Sequence, residues 1–420
     1  MRGAAVAACV HRCIVLGKTP CEVAFINPVQ ALHQMMASEA TDADMALSFT
    51  TPPVLVGDAH NSSGPWYGRV NRLSDTHALG MLEAITIATT DGGFTWYTLK
   101  DWKNDTGNFG GIYDADGKSF HNSGAALTYT SPSGKNVNIT AVHAPFTTRF
   151  SLSPTNGTFI HSVDKPFSMT GLPHLTGFRT GAAAANLRLP DGRLLSTVVT
   201  TGIGSTRQTL LSVVALHSKD DGYTWTYTSV VAAAEDVPYA REGPSENALA
   251  FLKNGSIIII FRVAGESGHH NPYVSKVSDD HGLTWKYLRP LRKWKGEKDA
   301  PGCVRPRLIT LGNGSLVLAG GRPNPVSHDD LLWLNAKGDG DVWKPYSVSY
   351  YHNKLTTNTS WMIPSKSVND SRWPRYDTSY SSLVKTGQKT GYIFYGAGFR
   401  SFALHFGLSW HVYSSMQGKV

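Results

Sequence analysis

The chain has 420 residues and carries 39 Lys and Arg against 31 Asp and Glu, a formal net charge of +8. The basic residues are scattered and form no run of Lys and Arg, so we predict no nucleic-acid partner. An anionic small substrate explains the excess charge as well. The longest apolar run is far too short to cross a bilayer, so we predict no membrane span.

The first 46 residues differ from the rest of the chain. They lack a strand rhythm, and they contain three of the four cysteines: Cys9, Cys13 and Cys21. We predict a leader or a poorly ordered segment over residues 1–46 and one folded domain over residues 47–420. Because Cys303 is the only cysteine in that domain, no disulfide can form within it.

Asn-x-Ser/Thr sequons indicate where the protein resides. Eight occur along the chain: Asn61, Asn104, Asn138, Asn156, Asn254, Asn313, Asn358 and Asn369. They favour a secreted protein or one in the lumen of the secretory pathway. Two of them, Asn254 and Asn313, precede Gly-Ser and are also typical of hairpin turns.

The folded domain repeats an eight-residue phrase, S/T-x-D-x-G-x-T-W. Complete copies span residues 89–96, 218–225 and 278–285, and a degenerate copy ends at Trp343. Asp and Ser side chains can bond the backbone two residues on, and Gly supplies the positive φ of a tight turn. We therefore assign the aspartate of each copy to turn formation rather than to catalysis.

The spacing of the copies predicts the fold. Their Trp residues lie 129, 60 and 58 positions apart, so one copy is missing from the first interval, and residues 153–159 (SPTNGTF) near its midpoint are the predicted remnant. Strand-like runs such as residues 256–263 and 316–320 recur, and we expect no amphipathic helix beyond residue 45. Five repeats are marked, and residues 372–410 leave room for a sixth. We predict an all-β, six-bladed β-propeller.

The repeated phrase resembles the Asp-box, or BNR repeat, of the sialidase superfamily of six-bladed β-propellers. The resemblance covers roughly residues 50–412 and implies a site at the mouth of the central channel. There, three Arg residues from different blades would hold the carboxylate of an acidic sugar. A Tyr deprotonated by a Glu would act as the nucleophile, and an Asp would protonate the leaving oxygen. This chemistry uses no cofactor and no metal.

The amino-terminal part of the resemblance concerns one Arg and one acid. Residues 68–76 (GRVNRLSDT) are similar to the first Arg motif of the family, which implies a substrate-binding role for Arg69, with Arg72 as the alternative. The family places its acid between this Arg and the first Asp-box. In that interval stand Asp75 and Glu83, and we assign the role of catalytic acid to Asp75.

A longer hairpin carries the strongest part of the resemblance. Residues 243–262 follow the family pattern in which a Glu and an Arg stand at the two ends of paired strands, which implies Glu246 as the base and Arg262 as a substrate ligand. A turn at Asn254-Gly255 would bring both to one rim of the blade. Residues 304–323 repeat the hairpin and imply a further substrate ligand, Arg322, with Arg305 and Arg307 as alternatives.

The resemblance also implies a nucleophile and a reaction. Residues 378–383 (TSYSSL) are similar to the strand that opens the last blade of the family, which implies Tyr380 as the nucleophile. The expected function is an exo-α-sialidase-like, retaining glycoside hydrolase for terminal sialic acid, on a sialylated glycan, or a related carboxylated sugar. The alternatives are a propeller that binds glycans without hydrolysis and a platform for protein interactions. The sequence does not predict the oligomeric state.

Overall fold

The structure is a computed structural model of the chain. It describes residues 45–58, 69–82, 85–99, 185–201, 210–265, 271–303, 305–322, 327–363, 381–397 and 400–410, with short strand segments between 111 and 179. One compact unit spans Met45–Val420. Its first strand begins at Met45, so Met45 and Ala46 belong to a sheet and not to the predicted leader.

The described residues form sheets that follow one another along the chain. Two strands come first: β1 (Met45–Ser48) and β2 (Val54–Asp58). Blade 1 contains β3 (Arg69–Arg72), β4 (Ala78–Leu82), β5 (Ile85–Thr89) and β6 (Tyr97–Thr98). The next segment contains β7 (Gly111–Tyr113), β8 (Ser119–Ser123), β9 (Thr128–Thr130), β10 (Asn136–Asn138), β11 (Phe146–Leu152), β12 (Phe159–His161) and β13 (Lys165–Pro166). Strands β9 and β10 pair as a separate ribbon, and the other five strands form blade 2.

Blades 3 and 4 follow. Blade 3 contains β14 (Ser168–Thr170), β15 (Gly177–Arg179), β16 (Ala185–Arg188), β17 (Leu194–Thr201), β18 (Leu211–Ser218) and β19 (Thr224–Ala232). A 3-10 turn at Ala234–Asp236 leads to blade 4, with β20 (Pro244–Phe251), β21 (Ile257–Val263), β22 (Val274–Ser278) and β23 (Lys286–Pro290).

Blades 5 and 6 complete the described chain. Blade 5 contains β24 (Arg292–Lys293), β25 (Arg307–Thr310), β26 (Leu316–Arg322), β27 (Ser327–Asn335) and β28 (Val342–Ser347). A helix, α1 (Val348–Leu355), and a 3-10 turn at Thr359–Trp361 precede blade 6, with β29 (Ser382–Lys385), β30 (Thr390–Ala397) and β31 (Arg400–Trp410). Strands β1 and β2 both pair with β31, so the amino-terminal strands complete the last blade.

The innermost strands close a ring, which confirms the predicted β-propeller. Contacts run in sequence from β3 to β7, β16, β20, β25 and β29, and from β29 back to β3. Five of the blades have the regular propeller arrangement, one fewer than predicted. The strand pairing of the described residues nevertheless gives six sheets of four or more strands, and all six contribute a strand to the ring.

Strand β21 illustrates why a continuous apolar run suits this fold. Ile257, Ile259 and Phe261 lie in a buried cluster with residues of blade 3, whereas Ile258 and Ile260 lie in a cluster with residues of blade 5. Successive side chains of a strand point to opposite faces, and each face of blade 4 is covered by a neighbouring blade. The strand therefore needs apolar residues at every position, as the sequence from 257 to 261 provides.

The Asp-boxes form tight turns between the third and fourth strands of their blades. In the box at residues 278–285, the Ser278 hydroxyl donates to Asp280 Oδ1 at 2.8 Å and accepts from the amide of Gly282 at 2.7 Å. Asp280 Oδ1 also accepts from the amide of Thr284 at 2.8 Å. The boxes with Asp91 and Asp220 contain the same bonds. The aspartates therefore serve the turn, as predicted.

The two degenerate copies keep the position of the box. Residues 153–159 connect β11 to β12, the third and fourth strands of blade 2, with the Gly157 amide donating to the Ser153 carbonyl at 2.9 Å. In the copy that ends at Trp343, the amide of Gly340 donates to Asn335 Oδ1 at 3.0 Å. The longer Asn side chain thus replaces the missing Ser from one position earlier.

Helix α1 corrects the expectation that no helix follows residue 45. Ser347 caps it by accepting from the amide of Tyr350 at 3.2 Å. His352 is fully buried and bonds the Tyr395 hydroxyl and the Trp361 carbonyl, both at 2.7 Å. The helix is short and rich in β-branched and aromatic residues, so these tertiary bonds, and not helix propensity, hold it.

Candidate functional site

Each blade has two ends with different contents. We call the end at which the innermost strand begins the upper end, and the end at which it finishes the lower end. A turn at the lower end leads into the second strand. The third strand runs the same way as the innermost strand, so the Asp-boxes also lie at the lower end. In blade 4, Glu246 at the start of β20 and Arg262 at the finish of β21 therefore belong to the upper end, as predicted.

Arg262 joins two carboxylates at this end. Its Nη1 lies 2.8 Å from Glu246 Oε2, and its Nη2 donates to Glu242 Oε1 at 2.6 Å. The Arg262 Nε group donates to the Ser245 hydroxyl at 3.2 Å. The exposed fractions of the side chains are 18% for Arg262, 14% for Glu246 and 32% for Glu242. We call Glu242, Glu246 and Arg262 the carboxylate–guanidinium triad; with all three ionised it carries a net charge of −1.

The strand pairing explains why these side chains meet. The turn at Asn254-Gly255 pairs β20 with β21 so that Asn247 stands opposite Phe261, and a bulge follows between Asn247 and Pro244. The bulge lies beside Glu246 and re-aims that stretch of strand. Glu242, two residues before β20, can then approach the same guanidinium from the other side.

A fully buried Tyr lies next to the triad. The Tyr273 hydroxyl donates to the backbone carbonyl of Cys303. Burial raises the pKa of Tyr273 well above its usual value, and negative charge on Cys303, Asp330 and Glu246 adds to the effect. This phenol therefore stays protonated and acts as a hydrogen-bond donor that ties blade 4 to the chain entering blade 5.

Arg305 occupies in blade 5 the position that Glu246 occupies in blade 4. The turn after the first strand is closed by the same hydrogen bond in both blades: the Leu252 amide donates to the Ser256 carbonyl in blade 4, and the Leu311 amide donates to the Ser315 carbonyl in blade 5. Glu246 stands six residues before Leu252, and Arg305 stands six residues before Leu311. Arg305 is only 5% exposed. The upper end of neighbouring blades therefore presents an acid in one blade and a cation in the next.

The remaining predicted Arg residues are placed by their backbones. Arg69 begins β3 opposite Met81, and Arg322 ends β26 opposite Ser327. Their side chains lie outside the described residues, and so does the whole of Tyr380. Arg307, the alternative to Arg322, donates from Nε to the carbonyl of Ser381 at 3.3 Å, so it links blade 5 to blade 6.

The structure places Asp75, the predicted catalytic acid, away from Glu246 and Arg262. Asp75 is exposed in the turn between β3 and β4, where it pairs with Arg72. That turn is at the lower end, whereas Glu246 and Arg262 are at the upper end. Arg72, the alternative to Arg69, ends β3 beside this lower-end turn, and Glu83 lies outside the described residues.

Sequence reasoning missed two acids of this region. Glu242 lies before β20, outside the hairpin that carries the family pattern, and the bulge that brings it to Arg262 has no sequence signal. Asp330 is 1% exposed and lies in β27, near enough to Tyr273 to raise its pKa. Asp330 directly precedes the apolar run 331–334 (LLWL) of this strand, and an acid at the edge of such a run is a signal that could have identified it.

Two further observations concern metal binding and membrane spans. Within the described part of the chain, no group of three or more His, Cys, Asp or Glu residues could hold a metal ion. In that same part, no helix is long and apolar enough to cross a membrane.

Comparisons with known proteins agree with this architecture. Residues 179–388 match the family described as BNR repeat-like domain, and no curated protein matches the chain. A solved protein of unknown function from Dyadobacter fermentans is 14% identical, with a TM-score of 0.53 over 87% of this chain and 99% of that one. The GH93 α-L-arabinofuranosidase of Fusarium graminearum, solved with arabinobiose, is 14% identical, with a TM-score of 0.50 over 86% and 98%.

A third solved structure, the NanB sialidase from Streptococcus pneumoniae, is 14% identical, with a TM-score of 0.45 over 85% of this chain and 70% of that one. At these identities the likeness shows the fold and not the reaction. The family match covers half of the chain and includes the Asp-boxes of blades 3 and 4. The chain therefore belongs to the BNR-repeat-like family of β-propellers.

Proposed function

We propose that this propeller is an exo-α-sialidase-like glycoside hydrolase that acts on terminal sialic acid, or a related carboxylated sugar, at the upper end of its blades. The observation that supports the proposal most is the 2.8 Å ion pair between Glu246 and Arg262. It lies where the resemblance implies a base and a substrate ligand. A buried cation, Arg305, follows at the equivalent position of the next blade.

The proposed roles follow from charge. Tyr380 attacks the anomeric carbon while the glycosidic C–O bond breaks, and Glu246 accepts the phenolic proton; a carboxylate nucleophile would be repelled by the carboxylate of the sugar. The leaving oxygen takes its proton from solvent, since Asp75 lies at the other end of its blade, and water then hydrolyses the glycosyl-tyrosine with Glu246 returning the proton to Tyr380.

Arg262 is already paired with two acids. In this proposal Arg69 and Arg322 therefore bind most of the sugar carboxylate, through charge-assisted hydrogen bonds.

The test is hydrolysis of 4-methylumbelliferyl α-sialoside between pH 4 and pH 8. We expect turnover by the wild type, a fall in kcat of roughly 100-fold or more for Glu246→Gln from the loss of a general base, and no turnover for Tyr380→Phe. Asp279→Asn provides the matched control, since Asp279 is 51% exposed in the Asp-box at the lower end of the same blade. Absence of turnover by well-folded wild type at every pH contradicts the sialidase proposal.

A second candidate is a propeller that binds glycans without hydrolysing them. The lower-end position of Asp75 favours it, because the proposed hydrolase then lacks the acid that the resemblance implied. Binding to a glycan array that survives Tyr380→Phe, together with no turnover, would support this candidate.

Neutral furanosides are a further substrate class to test by turnover. The Fusarium neighbour is an α-L-arabinofuranosidase. Most glycoside hydrolases use two carboxylates on neutral sugars, and Glu242 and Glu246 are two carboxylates that meet at one guanidinium. Turnover of p-nitrophenyl α-L-arabinofuranoside, with none of the sialoside, would redirect the proposal to a neutral furanoside.

A further inference from the structure

A second concave site lies at the lower end of the propeller, in the seam where blade 6 meets blade 1. This seam cavity has a volume of about 400 Å³, within the range of roughly 300–1,000 Å³ of small-molecule sites. Three separate parts of the chain line it: the residues that follow β1, the first turn and Asp-box of blade 1, and the first turn of blade 6 with β31. Glu246 and Arg262 are at the opposite end of the blades.

Hydroxyl groups dominate the polar lining of the seam cavity. They belong to Ser48, Thr50, Thr51, Thr76, Thr386 and Thr390. Ser48 donates to the Gly407 carbonyl and Thr386 donates to Thr390, both at 3.2 Å, and Thr76 Oγ1 lies 2.9 Å from His77 Nδ1. Hydroxyl oxygens that already donate can still accept, so the wall suits a ligand that has many hydroxyl groups of its own to donate.

The charged groups of the seam cavity already have partners. Asp91 accepts from the amides of Phe94 and Thr95 and from the Thr95 hydroxyl at 3.0, 2.9 and 2.6 Å. Asp75 pairs with Arg72. Arg72 offsets the charge of Asp75, and the oxygens of Asp91 are occupied by donors of its own turn, so neither carboxylate is left to bind a cation directly. The remaining negative charge disfavours an anion, and the lining therefore suits a neutral ligand.

An exposed aromatic ring forms the apolar part of the wall. Phe94 is 50% exposed and stacks on His405, with ring centroids 4.1 Å apart and planes 3° apart. His405 is 9% exposed, and its Nε2 bonds the Gly92 carbonyl at 3.0 Å. Its buried Nδ1 has no hydrogen-bond partner among the described residues. The wall thus offers a flat apolar surface, and the ring of the largely buried His405 lies behind it.

We propose that the seam cavity binds a neutral saccharide, whose apolar ring face packs on Phe94 and whose hydroxyl groups bond the threonines. Aromatic faces take such contacts because they offer a large flat apolar surface, and His405 holds the Phe94 ring in place. The ligand would touch the strands at both termini of the domain. Binding therefore also stabilises the folded domain, and the melting temperature keeps rising with the logarithm of the ligand concentration once that concentration exceeds Kd.

The test is saturation-transfer NMR of the full chain with methyl β-D-galactoside, methyl α-D-mannoside, methyl β-D-glucoside and arabinobiose, followed by titration of any binder. We expect at least one binder, with affinity about five- to ten-fold weaker in Phe94→Ala, from the range of aromatic contacts. Phe94→Trp should restore binding. Tyr97→Ala is the matched control, since Tyr97 is 43% exposed in the same blade and lies outside the lining.

Glu246→Gln separates this site from the proposed catalytic site. Binding at the seam persists in that variant even if all hydrolysis is lost, so the two proposals fail independently. Binding that is lost in Glu246→Gln and kept in Phe94→Ala would place the sugar at the upper end and overturn the proposal. So would saturation transfer to none of the four sugars, or binding only of spermidine or inorganic phosphate, which serve as the charged probes.

Discussion

Replacement of Arg262 by Met removes the guanidinium that holds Glu242 and Glu246 together. Two carboxylates are then left close to each other in a largely buried place. At an effective dielectric constant of about 20, a pair of charges 4 Å apart interacts by about 4 kcal/mol, most of which desolvation offsets. Loss of one partner of a buried ion pair costs about 3–5 kcal/mol. Because Glu242 is 32% exposed and water reaches it, we expect the lower limit, about 3 kcal/mol.

The assay is urea unfolding at pH 7, followed by tryptophan fluorescence and far-UV circular dichroism, with the free energy of unfolding extrapolated to water. Arg292→Met is the matched control, because Arg292 is 67% exposed and pairs with Asp341 at 3.3 Å on the surface. Such a surface pair contributes about 0–1 kcal/mol. The two Arg variants should therefore differ by about 2 kcal/mol or more.

A rescue variant tests the cause of the loss. Combining Arg262→Met with Glu242→Gln and Glu246→Gln leaves no unpaired charge, and replacement of a whole buried ion pair is often neutral. We expect the triple variant to recover at least half of the free energy lost by Arg262→Met alone. Our reasoning is refuted if Arg262→Met unfolds like Arg292→Met, or if removal of both carboxylates restores nothing.

Three further predictions concern stability. Burial alone would raise the pKa of Asp280, but hydrogen bonds from the Thr284 hydroxyl and amide hold it below its usual value. Asp280→Asn should therefore lower the free energy of unfolding by about 1 kcal/mol at pH 7. The difference in unfolding free energy between wild type and variant should vanish as pH falls below about 4 through the folded pKa. Burial lowers the pKa of His352, so its contribution is present above about pH 6.5 and lost below it; the melting temperature of His352→Gln should fall less between pH 8 and pH 5 than that of the wild type. An added Cβ in Gly320→Ala would meet the Tyr273 ring at 2.8 Å, and we expect about 2 kcal/mol of destabilisation in urea.

Local hydrogen bonding decided what could be predicted from the sequence. The Asp-box is predictable because its bonds join residues at most four positions apart, as between Asp280 and Thr284. The ends of β20 and β21 are predictable because the Asn254-Gly255 turn fixes their register. From these two signals follow the propeller and the meeting of Glu246 with Arg262.

Contacts between blades and around bulges could not be predicted in the same way. Glu242 reaches Arg262 through a bulge that depends on the packing of the whole blade. Tyr273 bonds the carbonyl of Cys303, 30 residues away in the chain that enters blade 5. Asp75 was assigned from its sequence interval alone, and that interval gives no information on which end of the strand the residue occupies.

One backbone position explains how a single fold can carry different chemistry in successive blades. Glu246 and Arg305 each stand six residues before the equivalent turn, and Tyr380 stands six residues before Thr386, where the corresponding turn of the next blade begins. In blades 4 and 5 the position precedes the apolar core of the strand, so its side chain can change from acid to cation while residues such as Ile258 still pack between blades. The Asp-boxes meanwhile hold the opposite end. Family membership therefore follows from the boxes at the lower end, and the boxes do not constrain the residues at the upper end, where we propose the substrate site.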